Sequence, residues 1–299
     1  MDRPELPWNA AALRQRLEAS WPGVTVEVVG STGSTNSDLL ARARSRAGLP
    51  CLRVAELQTA GRGRQGRTWH AERGASLTFS LAVSLARPSL AGLSLAVGAI
   101  LADALDPPQP WHDPPQPPHE AADLRPREGA STAEPTDRRI GLKWPNDLFL
   151  VDGAGRGRKL GGILIETLGF DRARLVVVGI GLNLRAMALG LVGPSEFAAL
   201  DEFDPGVSAP GLLECLAGPL GAGLRRFDET GFEAFQPGFA ARDLLAGQAV
   251  TTTQAGAARG IADGVGADGS LRLRTPDGRL AAISSGEVSV RLATAAQPC

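Results

Sequence analysis

The chain writes lysine at only two positions, Lys143 and Lys159, although Lys and Arg together number 31. A sequence that uses Arg wherever a solvated charge suffices keeps Lys where a compact charge on a flexible stem is needed. Both lysines lie in dense motifs, Lys143-Trp144-Pro145-Asn146-Asp147 and Arg158-Lys159-Leu160-Gly161-Gly162-Ile163-Leu164-Ile165-Glu166. A third motif, Gly61-Arg62-Gly63-Arg64-Gln65-Gly66-Arg67-Thr68-Trp69, alternates glycine with arginine. Its glycines let the backbone fold closely over a ligand, and guanidinium forks grip phosphate oxygens two at a time. Trp69 adds a flat face for a purine. In Val178-Gly179-Ile180-Gly181-Leu182-Asn183, as at Gly161-Gly162, glycines keep side chains from standing between strand and ligand. Together these segments predict a slot with a narrow apolar floor, cationic walls and an arginine loop as its lid.

Other chemistries are poorly supported. The arginine loop matches GxGxxG, but a strand pattern follows it and no acidic residue stands near Ala86, so it is not a dinucleotide fingerprint. No Gly-Lys-Ser/Thr closes it as a phosphate-binding loop. An RNA-binding Arg-Gly segment leaves the other motifs unexplained, and the net charge of -1 argues against a broad nucleic-acid surface. Of three histidines, His112 and His119 lie in a Pro-rich stretch, which leaves little material for histidine acid–base work. Cys51, Cys215 and Cys299 are far apart and odd in number, so neither a disulfide framework nor a zinc site is expected, and a reducing, cytoplasmic setting is. No apolar run reaches the roughly 18–20 residues of a membrane span, and the N-terminus does not read as a signal peptide.

The elements that must position these residues follow from periodicity and punctuation. A helix is expected over Asn9–Ser20, a strand over Val24–Val29, and a helix capped by Ser34-Thr35-Asn36 running through Ala43. Strands are expected at Leu52–Leu57 and Ser76–Leu85, and a helix opened by Pro88 through Leu105. Asp106–Arg139 is Pro-dense and aperiodic and reads as a mobile insertion. Strands at Ile140–Trp144, Leu148–Val151, Leu160–Leu168 and Leu175–Leu184 come next, then a helical stretch from Pro210 to Leu245. The remainder shows short strands at Gln248–Thr253, Ala257–Val265, Ser270–Arg274, Leu280–Ile283 and Glu287–Arg291. Asp268-Gly269 and Asp277-Gly278 are its turn signals. The pattern predicts an α+β chain with a mixed-sheet domain over 1–245 and a small β-barrel over 246–299.

At this point the motifs resemble, in order, the signatures of the biotin protein ligases, from about Thr32 to Asn183, and the tail resembles that family's SH3-like barrel. The resemblance is to the short form without an N-terminal DNA-binding domain, and no helix-turn-helix pattern precedes the first strand. It implies an ATP-dependent ligase acting in two steps. Biotin and Mg2+-ATP give biotinyl-5′-AMP and pyrophosphate, and the acyl group then passes to one lysine of a biotin carboxyl carrier protein. By analogy Ser34, Thr35, Asn36, Gln58, Gly61, Arg62, Gly63, Arg64 and Gly162 surround biotin. Arg64, Arg67, Trp69, Lys143, Asn146, Asp147 and Asn183 surround ATP or the adenylate. Lys159 reaches both the biotin carboxylate and the α-phosphate, so Lys159 and Arg64 are the catalytic pair. Asp147 is a candidate to take the acceptor lysine's proton; no protein ligand for Mg2+ is assigned.

The sequence departs from that family at Gly33, where relatives often carry an acidic residue, and in the long Asp106–Arg139 stretch. Deleting much of that stretch is expected to leave soluble, active enzyme, and a fall in melting temperature would show that it is packed. The alternatives are a lipoate or octanoate ligase or transferase of the same superfamily, and a non-catalytic biotin sensor. No membrane or nucleic-acid partner is expected, and the chain is expected to be a monomer or a weak homodimer.

Overall fold

The computed structural model describes residues 5–44, 48–107, 139–153, 155–170, 173–187, 197–254, 257–284 and 290–292. Most of the predicted insertion, residues 108–138, lies outside them. The chain runs α1 (Ala10–Glu18), β1 (Thr25–Thr32), α2 (Thr35–Arg44), β2 (Cys51–Gln58), β3 (Ser76–Leu85) and α3 (Leu93–Leu105). After the insertion come β4 (Arg139–Lys143), β5 (Asp147–Val151), β6 (Gly157–Phe170) and β7 (Ala173–Asn183), then α4 (Ala209–Thr230) and α5 (Gln236–Ala240). Five short strands follow: β8 (Ala249–Thr252), β9 (Arg259–Val265), β10 (Leu271–Arg274), β11 (Leu280–Ile283) and β12 (Val290–Leu292).

The first seven strands form one mixed sheet in the order β1-β2-β3-β7-β6-β5-β4, in which only β1 and β2 pair in parallel. Alternation along the central strands decides what lies on each face. Leu77, Phe79, Leu81 and Val83 of β3 and Val176, Val178, Ile180 and Leu182 of β7 join the main core. Leu13 and Leu17 of α1, Leu101 of α3 and Leu220, Leu224 and Phe227 of α4 cover them. The opposite face carries Ser80 of β3 and Gly179, Gly181 and Asn183 of β7, and α2 covers only part of it through Leu39 and Leu40 against Cys51, Ala82 and Val177. This half-covered face is where a ligand has room. Arg53, buried in β2, holds α2 to β1 by bonding Asp38 and Glu27 at 2.7 and 2.6 Å.

Two helix boundaries differ from expectation, each through a glycine. Gly92 takes φ +76, and a side chain there would collide with Phe232, so α3 starts at Leu93 and the Pro88 segment is a turn. Gly231 takes φ +74 and ends α4, so the stretch expected to be helical to Leu245 breaks into a 3-10 turn and the short α5.

The C-terminal strands form an antiparallel sheet in the order β11-β10-β9-β8-β12. Among the described residues β11 and β12 are the end strands of this sheet, which is the small C-terminal β unit expected from the sequence. Trp144, 1% exposed, donates its indole N–H to Gly269 O at 3.1 Å and so links the strand carrying Lys143 to this sheet. Trp144→Phe leaves that buried carbonyl short of a donor and is expected to cost about 1–3 kcal/mol. Urea denaturation reads the loss, and an unchanged midpoint would contradict the link.

Candidate functional site

The cavity opens on the half-covered face of the large sheet and holds about 740 Å³, a volume in the range of small-molecule sites, ~300–1,000 Å³. Its floor is β6 and β7, where Gly162 pairs with Gly181 and Gly161 with Leu182. The indole of Trp69 lies on this floor. A Cβ on Gly181 would overlap its ring, and one on Gly162 would stand 3.6 Å from it. The glycines are therefore what admits Trp69, and its buried indole N–H has no partner among the described residues. One face of the ring expected to meet a purine thus rests on the strands.

The arginine segment folds as a small hairpin over the cavity. Trp69 N–H donates to Gly61 O at 2.9 Å and Gly63 N–H to Arg67 O at 2.7 Å. A 3-10 turn at Arg64–Gly66 forms the tip, with left-handed backbone at Gln65 (φ 54) and Gly66 (φ 71). Arg64 reaches inward to Asn146 Oδ1 at 3.4 Å. Burial pulls the Arg64 guanidinium pKa below its usual value; Asp147 opposes that and Arg67 reinforces it. Arg64 is thus a half-dehydrated cation facing a slot, a setting that favours an arriving anion.

Lys159 projects from β6, and its Nζ donates to Asp147 Oδ1 at 2.7 Å. Its backbone carbonyl is held twice: Lys159 O accepts from Ala198 N–H at 2.9 Å and from Asn183 Nδ2 at 3.4 Å. Asn183 is 2% exposed, and its buried Oδ1 has no partner among the described residues. Asn146 Nδ2 donates to Ile163 O at 2.8 Å, so the turn after Trp144-Pro145 is pinned to β6 beside Lys159. Lys143 also lines the cavity, 5.5 Å from the Phe149 ring centre.

The far end of the slot is polar. α2 begins there, with Ser34 and Thr35 buried. Thr35 N–H donates to Gln58 Oε1 at 2.7 Å. Asn36 fills the space left by Gly179, and its amide is committed to protein partners: Ser80 Oγ, Leu164 O and Glu166 Oε2. It braces the pocket wall. Every residue read from the sequence as a site candidate lines this cavity except Gly61, whose missing side chain makes room for Trp69 O behind the hairpin.

Sequence reasoning missed two groups. Ser80 and Glu166 stand behind the polar end; Glu166 closed a quoted motif, and Ser80 gave no signal in an alternating strand. Arg158 and Glu202 form a two-pronged ion pair at the rim, and Arg158 Nη1 also donates to Phe197 O at 2.9 Å. That contact brings Phe197–Ala199 alongside Lys159 and depends on long-range pairing that no local motif announces. Among the described residues no cluster of three or more His, Cys, Asp or Glu could hold a metal ion.

Residues 31–183 match the model of the biotin/lipoate A/B protein ligase family, and residues 246–291 match the biotin protein ligase C terminal domain. The biotin--[acetyl-CoA-carboxylase] ligase of Mycobacterium tuberculosis is 36% identical over 214 residues, covering 70% of this chain and 66% of that protein. The bifunctional ligase/repressor BirA of Escherichia coli is 31% identical over 278 residues, covering 91% of this chain and 75% of that protein. The chain thus spans just under two thirds of the first relative and three quarters of the second. In fold it is similar to the biotin protein ligase from Aquifex aeolicus in complex with biotin and ATP. That likeness has a TM-score of 0.67 and 24% identity, covering 91% of this chain and all of the other. With the sheet, the cavity and the ordered motifs in agreement, the chain belongs to the biotin/lipoate A/B protein ligase family, on its biotin protein ligase branch.

Proposed function

We propose that the protein is an ATP-dependent ligase that activates biotin as biotinyl-5′-AMP and transfers it to a lysine of a biotin carboxyl carrier protein. One observation carries the reading. A single cavity has Lys159 and Arg64 converging near Asp147, a glycine floor along its length, and the Thr35–Gln58 hydrogen-bonding end behind it.

Each part suits one part of the substrates. Biotin is a mostly apolar bicycle with a ureido group and a carboxylate tail. Ser34, Thr35 and Gln58 suit the ureido, and the space beside Gly162, which carries no side chain, suits the ring. The carboxylate then points toward Lys159. Trp69, Lys143, Arg67 and Asn183 border the space left for the nucleotide. Attack of the carboxylate on the α-phosphate brings two anions together, and Lys159 and Arg64 supply the fixed positive charge that stabilises the transition state. No base is needed for this step, because the carboxylate is already ionised. The magnesium ion enters with ATP as part of the substrate. The lining carboxylates Asp147 and Glu202 are already paired with Lys159 and Arg158. The arginine hairpin lies where it excludes water from the acyl-adenylate.

A cytoplasmic place of action fits the thiols. Among the described residues Cys51 and Cys215 are both free thiols, Cys51 buried and Cys215 exposed. Among the described residues no helix is long and apolar enough to cross a membrane.

The reading is tested by incubating the protein with biotin, Mg2+-ATP and a carrier domain, and measuring the acceptor by intact mass. A biotinyl adduct lost when the acceptor lysine becomes arginine is expected, and lipoylation in its place would move the substrate to the superfamily alternative. Gly181→Val pushes a branched side chain into the place of Trp69 and is expected to raise KM for ATP at least about 10-fold, while leaving KM for biotin nearly unchanged. Equal effects on both substrates would separate Trp69 from the nucleotide.

A further inference from the structure

Behind the polar end of the cavity a chain of hydrogen bonds runs from Thr35 to the arginine hairpin. Thr35 Oγ1 and Ser80 Oγ are 2.6 Å apart. Ser80 Oγ donates to Asn36 Oδ1 at 2.6 Å, and Asn36 Nδ2 donates to Glu166 Oε2 at 3.0 Å. The other oxygen of Glu166 meets Arg62 Nη2 at 3.2 Å.

A hydroxyl carries one proton. Ser80 gives its proton to Asn36, so the short contact with Thr35 requires Thr35 to be the donor. Thr35 Oγ1 then has only lone pairs to offer anything else in the cavity. Its 3.1 Å approach to Gln58 Oε1 holds no proton in this arrangement, and Gln58 Oε1 is satisfied by the Thr35 backbone N–H at 2.7 Å. Every donor in the chain points toward the Glu166 carboxylate, so each bond polarises the next in one direction. Ser80 is fully buried and Asn36 is 3% exposed, which removes water as a competing partner.

We propose that Ser80 and Glu166 are positioning residues that fix Thr35 Oγ1 as a hydrogen-bond acceptor for a ureido N–H and tie that polarity to Arg62 of the hairpin. Filling the ureido pocket and holding the hairpin are then coupled through the sheet. This rests on the biotin-ligase reading above. Neither residue touches the reacting atoms, so their signature is a change in KM for biotin at a maintained kcat.

The experiment measures biotin-dependent ATP–pyrophosphate exchange by the full chain and its Ser80→Ala, Ser80→Cys and Glu166→Gln variants, with biotin and ATP varied in turn. Ser80→Ala is expected to raise KM for biotin about 10-fold, the loss of one buried hydrogen bond, with kcat within about two-fold and KM for ATP unchanged. Ser80→Cys, a weaker donor of similar size, is expected to fall between wild type and Ser80→Ala. Glu166→Gln keeps an acceptor for Asn36 but loses the charge facing Arg62. It is expected to raise KM for biotin about three-fold, and less than multiplicatively when combined with Ser80→Ala. Unchanged KM for biotin in an active Ser80→Ala or Glu166→Gln, a purely kcat effect, or full multiplicativity overturns the coupling. Wild type without biotin-dependent exchange overturns the functional reading itself, and the two failures are told apart by that one control.

Discussion

Lys159→Ala is expected to reduce biotinyl-AMP formation by about 10³-fold while leaving the chain folded. Two unit charges brought to about 4 Å at an effective dielectric near 20 repel by about 4 kcal/mol. At about 1.4 kcal/mol per tenfold in rate, cancelling that repulsion is worth about 10³-fold. Lys159 is placed for this by geometry as much as by charge. Its backbone carbonyl is held by Ala198 and Asn183, and its ammonium waits on Asp147 at 2.7 Å. The stability cost is small, because both partners of the ion pair keep more than a fifth of their side-chain surface exposed (28% and 22%), and such pairs contribute at most about 1 kcal/mol. Single-turnover formation of biotinyl-AMP and a thermal melt read the two halves separately. Undiminished turnover would remove Lys159 from the chemistry.

Arg64→Ala is expected to act on retention of the intermediate. Arg64 stands on the hairpin tip, half-buried, with its pKa pulled down by burial and by Arg67 and held up by Asp147. A phosphate would pair with this guanidinium and relieve its dehydration, so hairpin and adenylate hold each other. Removing the guanidinium leaves both loose. Biotinyl-AMP is expected to escape into solvent at a rate at least about 10²-fold above wild type, the scale of losing one charged contact of about 3 kcal/mol. Filtration after turnover with no carrier protein measures the free fraction. A wild-type-like retained adenylate would contradict the lid role of Arg64.

The site was legible in the sequence where its chemistry is local. Paired glycines, an Arg-Gly hairpin, two isolated lysines and a Trp-Pro turn carry their meaning within a few residues, and the sheet brings nearly all of them to one cavity. What escaped depends on distance along the chain. Ser80 reads as filler in β3, and its role appears only when pairing sets it opposite Gly179, whose missing side chain admits Asn36. The Phe197–Glu202 segment has no signature, because its function is to meet Arg158 and Lys159 from elsewhere. Helix ends were misplaced for a related reason. Gly92 and Gly231 read as ordinary glycines, and only the packed Phe232 shows why Gly92 bears no side chain. Strand positions at the C-terminus were legible from the Asp-Gly turns, which join β9 to β10 and β10 to β11.

The most direct test is biotin-dependent ATP–pyrophosphate exchange by the purified chain, with lipoate in a parallel reaction. Exchange with biotin alone is expected, abolished in Lys159→Ala. Exchange with lipoate alone would keep the adenylating mechanism and contradict the substrate. Absence of exchange with either would contradict the central claim that this cavity joins a carboxylate to a nucleotide.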